Sequence, residues 1–239
     1  MAIVYNTSIV RSGLVLHLDA ANPKSYPGSG TAWRDLSGVG NNGTLTNGPT
    51  YSSSNNGAIV FDGSNDYMTA SPLPSGTNLF TISVWMYLSA NINGDYGGSV
   101  KGAIIFSGNA VGTYELTLTT SGATAGPPYA MTLGRYGGDA TGTCTVSGIN
   151  MPIQQWHNVV VLRDGASSQK MYLNGVLLAS GNISTSMTAG TLHIGGAPAN
   201  ASFVGYMNGN FSNITQYNRA LTALEISQNF EATRGRYGI

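Results

Sequence analysis

Ten acidic side chains are available for chemistry: Asp19, Asp35, Asp62, Asp66, Asp95, Glu115, Asp139, Asp164, Glu225 and Glu231. Glycosidic-bond hydrolysis would require two of them at a fixed separation, one as proton donor and one as base or nucleophile. No predicted strand carries two at alternate positions. Asp62 and Asp66 bracket a turn. Glu225 stands three residues after Thr222, the spacing of a helix capping box, which gives it a structural task. The paired-acid requirement is unmet by any local motif, so a non-enzymatic protein is expected.

The three histidines, His17, His157 and His193, all fall in predicted strands. A zinc trio is conceivable, but histidines satisfied by their strand neighbours are the commoner arrangement. Cys144 is the single cysteine, which excludes an intrachain disulfide and reads as a small buried strand residue. Gly195-Gly196 follows a strand without opening a helix, so it is a turn and not a phosphate cradle.

Two kinds of ligand remain. Asp62-Gly63-Ser64-Asn65-Asp66 offers hard oxygens suited to calcium, with Asp62 and Asp66 as ligands. Asx turns explain the same two acids without a metal. For sugars, aromatic faces beside polar hydrogen-bonding groups are needed. Tyr96 in Asp95-Tyr96-Gly97-Gly98 and Tyr136 in Arg135-Tyr136-Gly137-Gly138-Asp139 fit that need. The competing reading is that both tyrosines pack over their turns or against a neighbouring subunit. Trp33, Trp85 and Trp156 read as structural.

The elements that must carry these groups are short strands. Phe80, Ile82, Val84, Met86 and Leu88 share one face of the clearest strand, and Thr81, Ser83, Trp85 and Tyr87 the other. Strands are also expected at Gly13–Asp19, Ala58–Asp62, Tyr67–Thr69, Ala103–Phe106, Tyr114–Leu118, Tyr129–Tyr136, Trp156–Arg163 and Thr191–Ile194. Asn174-Gly175 marks a hairpin turn, because both positions tolerate positive φ. Phe211 to Tyr217 alternates as a last strand. Thr222-Ala-Leu-Glu225 then opens one short helix, with Leu221, Leu224, Ile226 and Phe230 on its apolar side. About a dozen strands and one helix predict an all-β, two-sheet antiparallel sandwich over residues 13–239, preceded by an N-terminal arm at residues 1–12.

Composition narrows the function. Charged residues are 8% of 239, against roughly 25% in an average soluble protein. Ten basic and ten acidic residues cancel to zero net charge. No basic stripe is present, which argues against a nucleic-acid partner. No run reaches transmembrane length, and no signal peptide is visible at the start, so no membrane partner is expected. A neutral, charge-poor surface opposes self-association weakly, and disulfide-free construction suits folding in a reducing cytoplasm.

Six segments in order resemble the laminin-G-like or concanavalin A-like jelly roll. They are Gly13-Leu-Val-Leu-His-Leu-Asp19, Ile59-Val-Phe-Asp-Gly63 with Asp66-Tyr67, Phe80-Thr-Ile-Ser-Val-Trp85, Trp156-His-Asn-Val159, Tyr172-Leu-Asn-Gly175, and Gln216 to Thr222 with Glu225-Ile226. The resemblance implies two face-to-face antiparallel sheets with a short helix near the C-terminus. It also implies a calcium at a loop edge, as many such domains carry. The opening through Thr50 is similar to variants in virion proteins of tailed phages. That implies a structural, decoration or adhesion component of a virion, assembled in the host cytoplasm, whose partners are other virion proteins or further copies of itself. A carbohydrate-binding module for host or surface attachment is the alternative.

Overall fold

Strong strand formers alternate with turn residues along the chain, and the computed structural model turns that pattern into two sheets. It describes residues 8–54, 57–70, 79–89, 95–96, 99–107, 114–120, 129–135, 144–165, 168–182, 191–196 and 206–239. In chain order the strands are β1 (Leu14–Asp19), β2 (Ala32–Trp33), β3 (Gly43–Thr46), β4 (Thr50–Ser52), β5 (Ala58–Asp62), β6 (Tyr67–Ala70), β7 (Leu79–Leu88), β8 (Asp95–Tyr96) and β9 (Ser99–Ser107). They continue as β10 (Tyr114–Thr120), β11 (Tyr129–Arg135), β12 (Cys144–Ile149), β13 (Trp156–Asp164), β14 (Ser168–Leu173), β15 (Val176–Asn182), β16 (Leu192–Ile194) and β17 (Asn208–Tyr217). Helix α1 (Ala223–Thr233) and a 3-10 turn, Arg234–Tyr237, follow.

One sheet runs β15-β14-β13-β7-β17-β5-β4, with β1 also paired to β17; the other runs β12-β11-β10-β9-β16-β6-β3-β2, with β8 paired to β9. Between them lies one continuous core. Leu16, Leu18, Phe61, Phe80, Val84, Met86 and Phe211 from the first sheet meet Trp33, Met68, Met131, Leu192 and Ile194 from the second. Each such side chain contributes roughly 1.5–3 kcal/mol by leaving water. The expected inward row of β7 is thus observed. The all-β, two-sheet antiparallel fold with one short C-terminal helix is confirmed.

β17 departs from simple alternation. Its register slips between Phe211 and Asn213, so Ser212 bulges. Phe211 and Ile214 therefore both reach the inter-sheet core, while Tyr217 lands on the opposite face. The sequence reading put Phe211 and Tyr217 on one face; an extra residue in a strand reverses all alternation after it.

The outer face of the first sheet is also apolar, which is why β13 is buried from Trp156 through Arg163. Helix α1 covers it. Leu221 and Ile226 pack on Val160, Leu162, Tyr172 and Tyr217, and Phe230 packs on a separate aromatic group around Trp85 and Trp156. Leu224, expected on the same apolar side, is instead 76% exposed. It sits in the first helical turn, where Thr222, Ala223 and Leu224 are all exposed, and the sheet is met only from Ile226 onward and by Leu221 before the helix. The Asn174-Gly175 turn forms as expected, with φ of 50° and 78°. A Cβ on Gly175 would meet the Phe230 ring at 2.9 Å, so glycine is needed there twice over.

The capping box is present as read. The Glu225 N–H donates to Thr222 Oγ1 and the Thr222 N–H donates back to Glu225 Oε2 at 2.9 Å. Arg219 adds a two-pronged contact, Nη1 and Nη2 donating to the two Glu225 oxygens. Those guanidinium hydrogen bonds outweigh burial and hold the Glu225 carboxyl at about 2, well below its ordinary 4.5. The folded protein therefore prefers ionised Glu225. Its stabilisation is complete above about pH 4.5 and is lost as pH falls through about 2. We expect this carboxylate to account for about 2 kcal/mol of acid destabilisation, allowing for solvent screening. Melting curves from pH 6 to pH 2 for the parent and for Glu225→Gln check it; the two curves should converge at the acid end.

Residues 8–12 lie along α1 and the end of β17. The Val10 N–H donates to Asn229 Oδ1 (2.8 Å), Tyr217 Oη donates to the Val10 carbonyl (3.0 Å), and Gln228 Nε2 donates to the Ser8 carbonyl (3.0 Å). Of the segment read as an N-terminal arm, these residues dock on the chain's own helix.

Candidate ligand-binding cleft

The helix and the 3-10 turn bring aromatic rings from distant parts of the chain onto the outer face of the first sheet. Trp85 and Tyr87 come from β7, and Trp156, which opens β13, pairs directly with Tyr87 in register. Tyr237 is delivered by the 3-10 turn and Phe230 by the helix. Tyr237 stacks on Trp85 with centroids 3.9 Å apart and planes 17° from parallel. Phe230 stacks on Trp85 at 5.8 Å. Trp156 tilts against Tyr237 at 4.9 Å and against Tyr87 at 5.5 Å. The five rings form a row, buried at Trp85, Tyr237 and Trp156 and half-buried at its two ends, Phe230 on the helix and Tyr87 at the surface end.

At that surface end lies a cleft of about 510 Å³, lined by Tyr87, Gln154, Gln155, Trp156, Tyr237, Gly238 and Ile239. The two glutamines are exposed on the loop before β13. Gln154 holds φ at 60°, a left-handed conformation uncommon for a side chain of this kind. Its N–H donates to the Leu88 carbonyl at 2.7 Å, anchoring the loop to the end of β7. The Trp156 indole N–H has no hydrogen-bond partner among the described residues. Burial raises the Tyr237 phenol pKa, so its hydroxyl stays neutral. The lining thus combines aromatic faces with two uncharged amides, each both a donor and an acceptor.

The back of this wall is fixed by Arg236. Its Nη1 donates to Asp19 Oδ1 (2.6 Å), and its Nη2 donates to the Gly57 carbonyl (3.0 Å) and to Ser212 Oγ. Its guanidinium carbon lies 5.2 Å from the centre of the Tyr237 ring. A second cleft, of about 350 Å³, opens on the other side of Arg236, with His17, Asp19, Asn213, Glu231 and Thr233 among its walls. Its ion pairs are closed, Asp19 on Arg236 and Glu231 on Arg234.

Of the residues singled out by sequence, Tyr96 belongs to β8, a two-residue strand paired with β9, and not to a loop. Tyr136 lies outside the described residues. Asp62 and Asp66 flank the β5–β6 turn as expected. Asp62 Oδ1 accepts from the N–H groups of Ser64 (2.7 Å) and Asn65 (3.4 Å), and Asp66 Oδ2 accepts from the Asp62 N–H (3.0 Å). Burial pushes the Asp66 carboxyl upward, which further disfavours ionisation of a group 3% exposed. Both acids are engaged in the turn, and among the described residues no group of three His, Cys, Asp or Glu could hold a metal. We expect added calcium to leave the melting temperature unchanged in differential scanning fluorimetry; a rise of several degrees, lost in Asp62→Asn, would assign the site instead.

The histidines do not converge. His17 Nε2 lies 3.2 Å from the Asn213 amide, His157 Nε2 lies 3.0 Å from the Pro152 carbonyl, and His193 Nδ1 lies 3.0 Å from the Thr191 carbonyl. Burial lowers all three pKa values and keeps the rings neutral. Asp35 is equally occupied, accepting from the backbone of His17, Ser37, Gly40 and Asn41 and from the Ser37 hydroxyl.

The fold agrees with the relationships of the sequence. A family model described as the concanavalin A-like lectin/glucanases superfamily, of laminin-G type, matches residues 62–227. The chain belongs to that superfamily. No curated protein sequence matches it. Among solved structures it is similar to domain 4 of AbnA, a GH43 extracellular arabinanase from Geobacillus stearothermophilus, in complex with arabinotriose. That likeness has a TM-score of 0.64 at 17% identity and covers 91% of this chain and 98% of the other. It is also similar to the botulinum neurotoxin type G receptor binding domain (TM-score 0.62, 16% identity, 92% of this chain) and to Trypanosoma rangeli sialidase in complex with sialic acid (0.62, 17%, 91%). The chain spans 51% of that toxin domain and 32% of the sialidase.

Proposed function

We propose that this domain is a non-enzymatic, lectin-like module that binds saccharides in the cleft between Tyr87, Gln154, Gln155, Trp156 and the Tyr237–Ile239 segment. One observation carries the reading. An aromatic row emerges at the surface beside two exposed amides, and this pairing of stacking faces with neutral hydrogen-bonding groups suits sugar rings. The superfamily and the arabinotriose-bound neighbour support it. The described acids support the non-enzymatic part, since Asp19, Asp35, Asp164, Glu225 and Glu231 are each held by a cation or by a set of N–H donors. A glycan array followed by calorimetry tests the proposal. Tyr87→Ala should weaken binding at least tenfold, whereas Tyr87→Phe should keep most of it. An array blank for the parent protein would remove the reading.

The setting we propose is the surface of a phage virion, where the module decorates the particle or serves adhesion. The charge-poor, zero-net-charge composition favours contacts with other virion proteins or with further copies of itself. Copurification with assembled particles tests this; a protein that stays monomeric and never sediments with particles would argue for the adhesion module alone.

A further inference from the structure

Resting on the saccharide reading above, we infer that the cleft selects neutral oligosaccharides and rejects sialylated or other acidic ones. The basis is the charge of its lining. Tyr87, Gln154, Gln155, Trp156, Tyr237, Gly238 and Ile239 include no lysine, arginine or histidine side chain. The Arg236 guanidinium stands behind the Tyr237 ring and is already committed to Asp19, the Gly57 carbonyl and Ser212. Arg234 reaches the Ile239 edge of the cleft but is held there by the Ile239 carbonyl (2.9 Å) and by Glu231. A sugar carboxylate entering the cleft would lose its hydration and meet no uncommitted cation among the described residues. Burying an unpaired charge costs far more than burying a hydroxyl that finds a partner.

Neutral sugars meet the opposite situation. Each glutamine amide offers two donors and one acceptor, which matches hydroxyls that both donate and accept. Tyr87, half-buried at the mouth of the cleft, supplies a ring surface against which an apolar sugar face can rest, and the buried Trp156 ring, tilted by 55° against it, holds it in place. A volume of about 510 Å³ is that of a site for a short oligosaccharide. With no charged side chain in the lining and the nearby Arg234 neutralised by Glu231, binding of a neutral sugar owes little to long-range attraction and is nearly insensitive to salt. The similar folds include one crystallised with a neutral arabinotriose and one with sialic acid, so the fold alone does not decide between these ligands.

The test is titration calorimetry on the intact chain with arabinotriose, xylotriose and cellotriose against 3′-sialyllactose and a galacturonic acid trimer. At least one neutral trimer should bind, with affinity constant within about twofold between low and high salt. The acidic probes should bind at least tenfold more weakly. Gln155→Arg, a surface change that leaves the fold intact, should raise affinity for the acidic probes severalfold. Tighter binding of the acidic probes by the parent, or affinity falling steeply with salt, would overturn neutral selectivity while leaving saccharide binding standing. Silence toward every probe would overturn both.

Discussion

Replacing Trp85 by alanine is expected to destabilise the domain by about 3–5 kcal/mol, the range for removing a large buried aromatic. Trp85 is 2% exposed, sandwiched between Tyr237 and Phe230, and its indole N–H donates to Thr233 Oγ1 at 3.0 Å. Among the described residues, no other side chain joins the helix, the 3-10 turn and the sheet through stacked rings. Its loss opens a cavity under Phe230 and Tyr237 and frees the C-terminal segment from β7. Urea denaturation should show a lower midpoint, and near-ultraviolet circular dichroism should lose the signal of the stacked rings. Trp85→Phe keeps the stack and loses the hydrogen bond, so it should cost about 1–2 kcal/mol. The saccharide affinity of the alanine variant should fall with it, because Tyr237 forms part of the cleft. A change below 1 kcal/mol would mean that Leu221 and Ile226, on Val160 and Tyr172, hold the helix unaided.

The sequence made the inter-sheet core legible because β7 keeps strict alternation and the core needs only one apolar face per strand. It made the helix start legible because Thr222 and Glu225 cap locally. It left the second apolar layer hidden. Nothing in the strand patterns shows what covers Trp85, Trp156, Tyr172 and Tyr217 until α1 is laid across them, and that contact joins positions more than 50 residues apart in sequence, as between Tyr172 and Ile226. The cleft was illegible for the same reason. Tyr87 falls on the second face of β7, Gln154-Gln155 carry no motif of their own, and only β7–β13 pairing and the C-terminal turn unite them. The one local hint was two adjacent amides immediately before Trp156. Tyr96 and Tyr136 stand out in the sequence because glycines flank them, yet Tyr96 is drawn into a strand by pairing with Ser99. The Ser212 bulge has no sequence mark, since Phe211 to Tyr217 alternates plausibly in either register.

That bulge sets up the second large effect. Ser212 Oγ donates to the Gly57 carbonyl at 2.6 Å, and Arg236 joins both groups to Asp19. The Asp19 and Arg236 side chains are only 20% and 18% exposed. Arg236→Met leaves the Asp19 carboxylate without its cation, and removing one partner of a largely buried pair costs about 3 kcal/mol. Asp19→Asn should cost less, because Arg236 keeps its contacts to Gly57 and Ser212. The double variant should be more stable than the sum of the two losses predicts, with a coupling of about 1.5–2 kcal/mol in a denaturation cycle. Additive losses would show that Arg236 acts through the bulge alone and that the ion pair contributes nothing. Binding separates position from stability. If Arg236 orients Tyr237 from behind, Arg236→Met should weaken saccharide binding at temperatures where the variant is still fully folded, while Asp19→Asn, which leaves the guanidinium seated on Ser212, should bind nearly as the parent does.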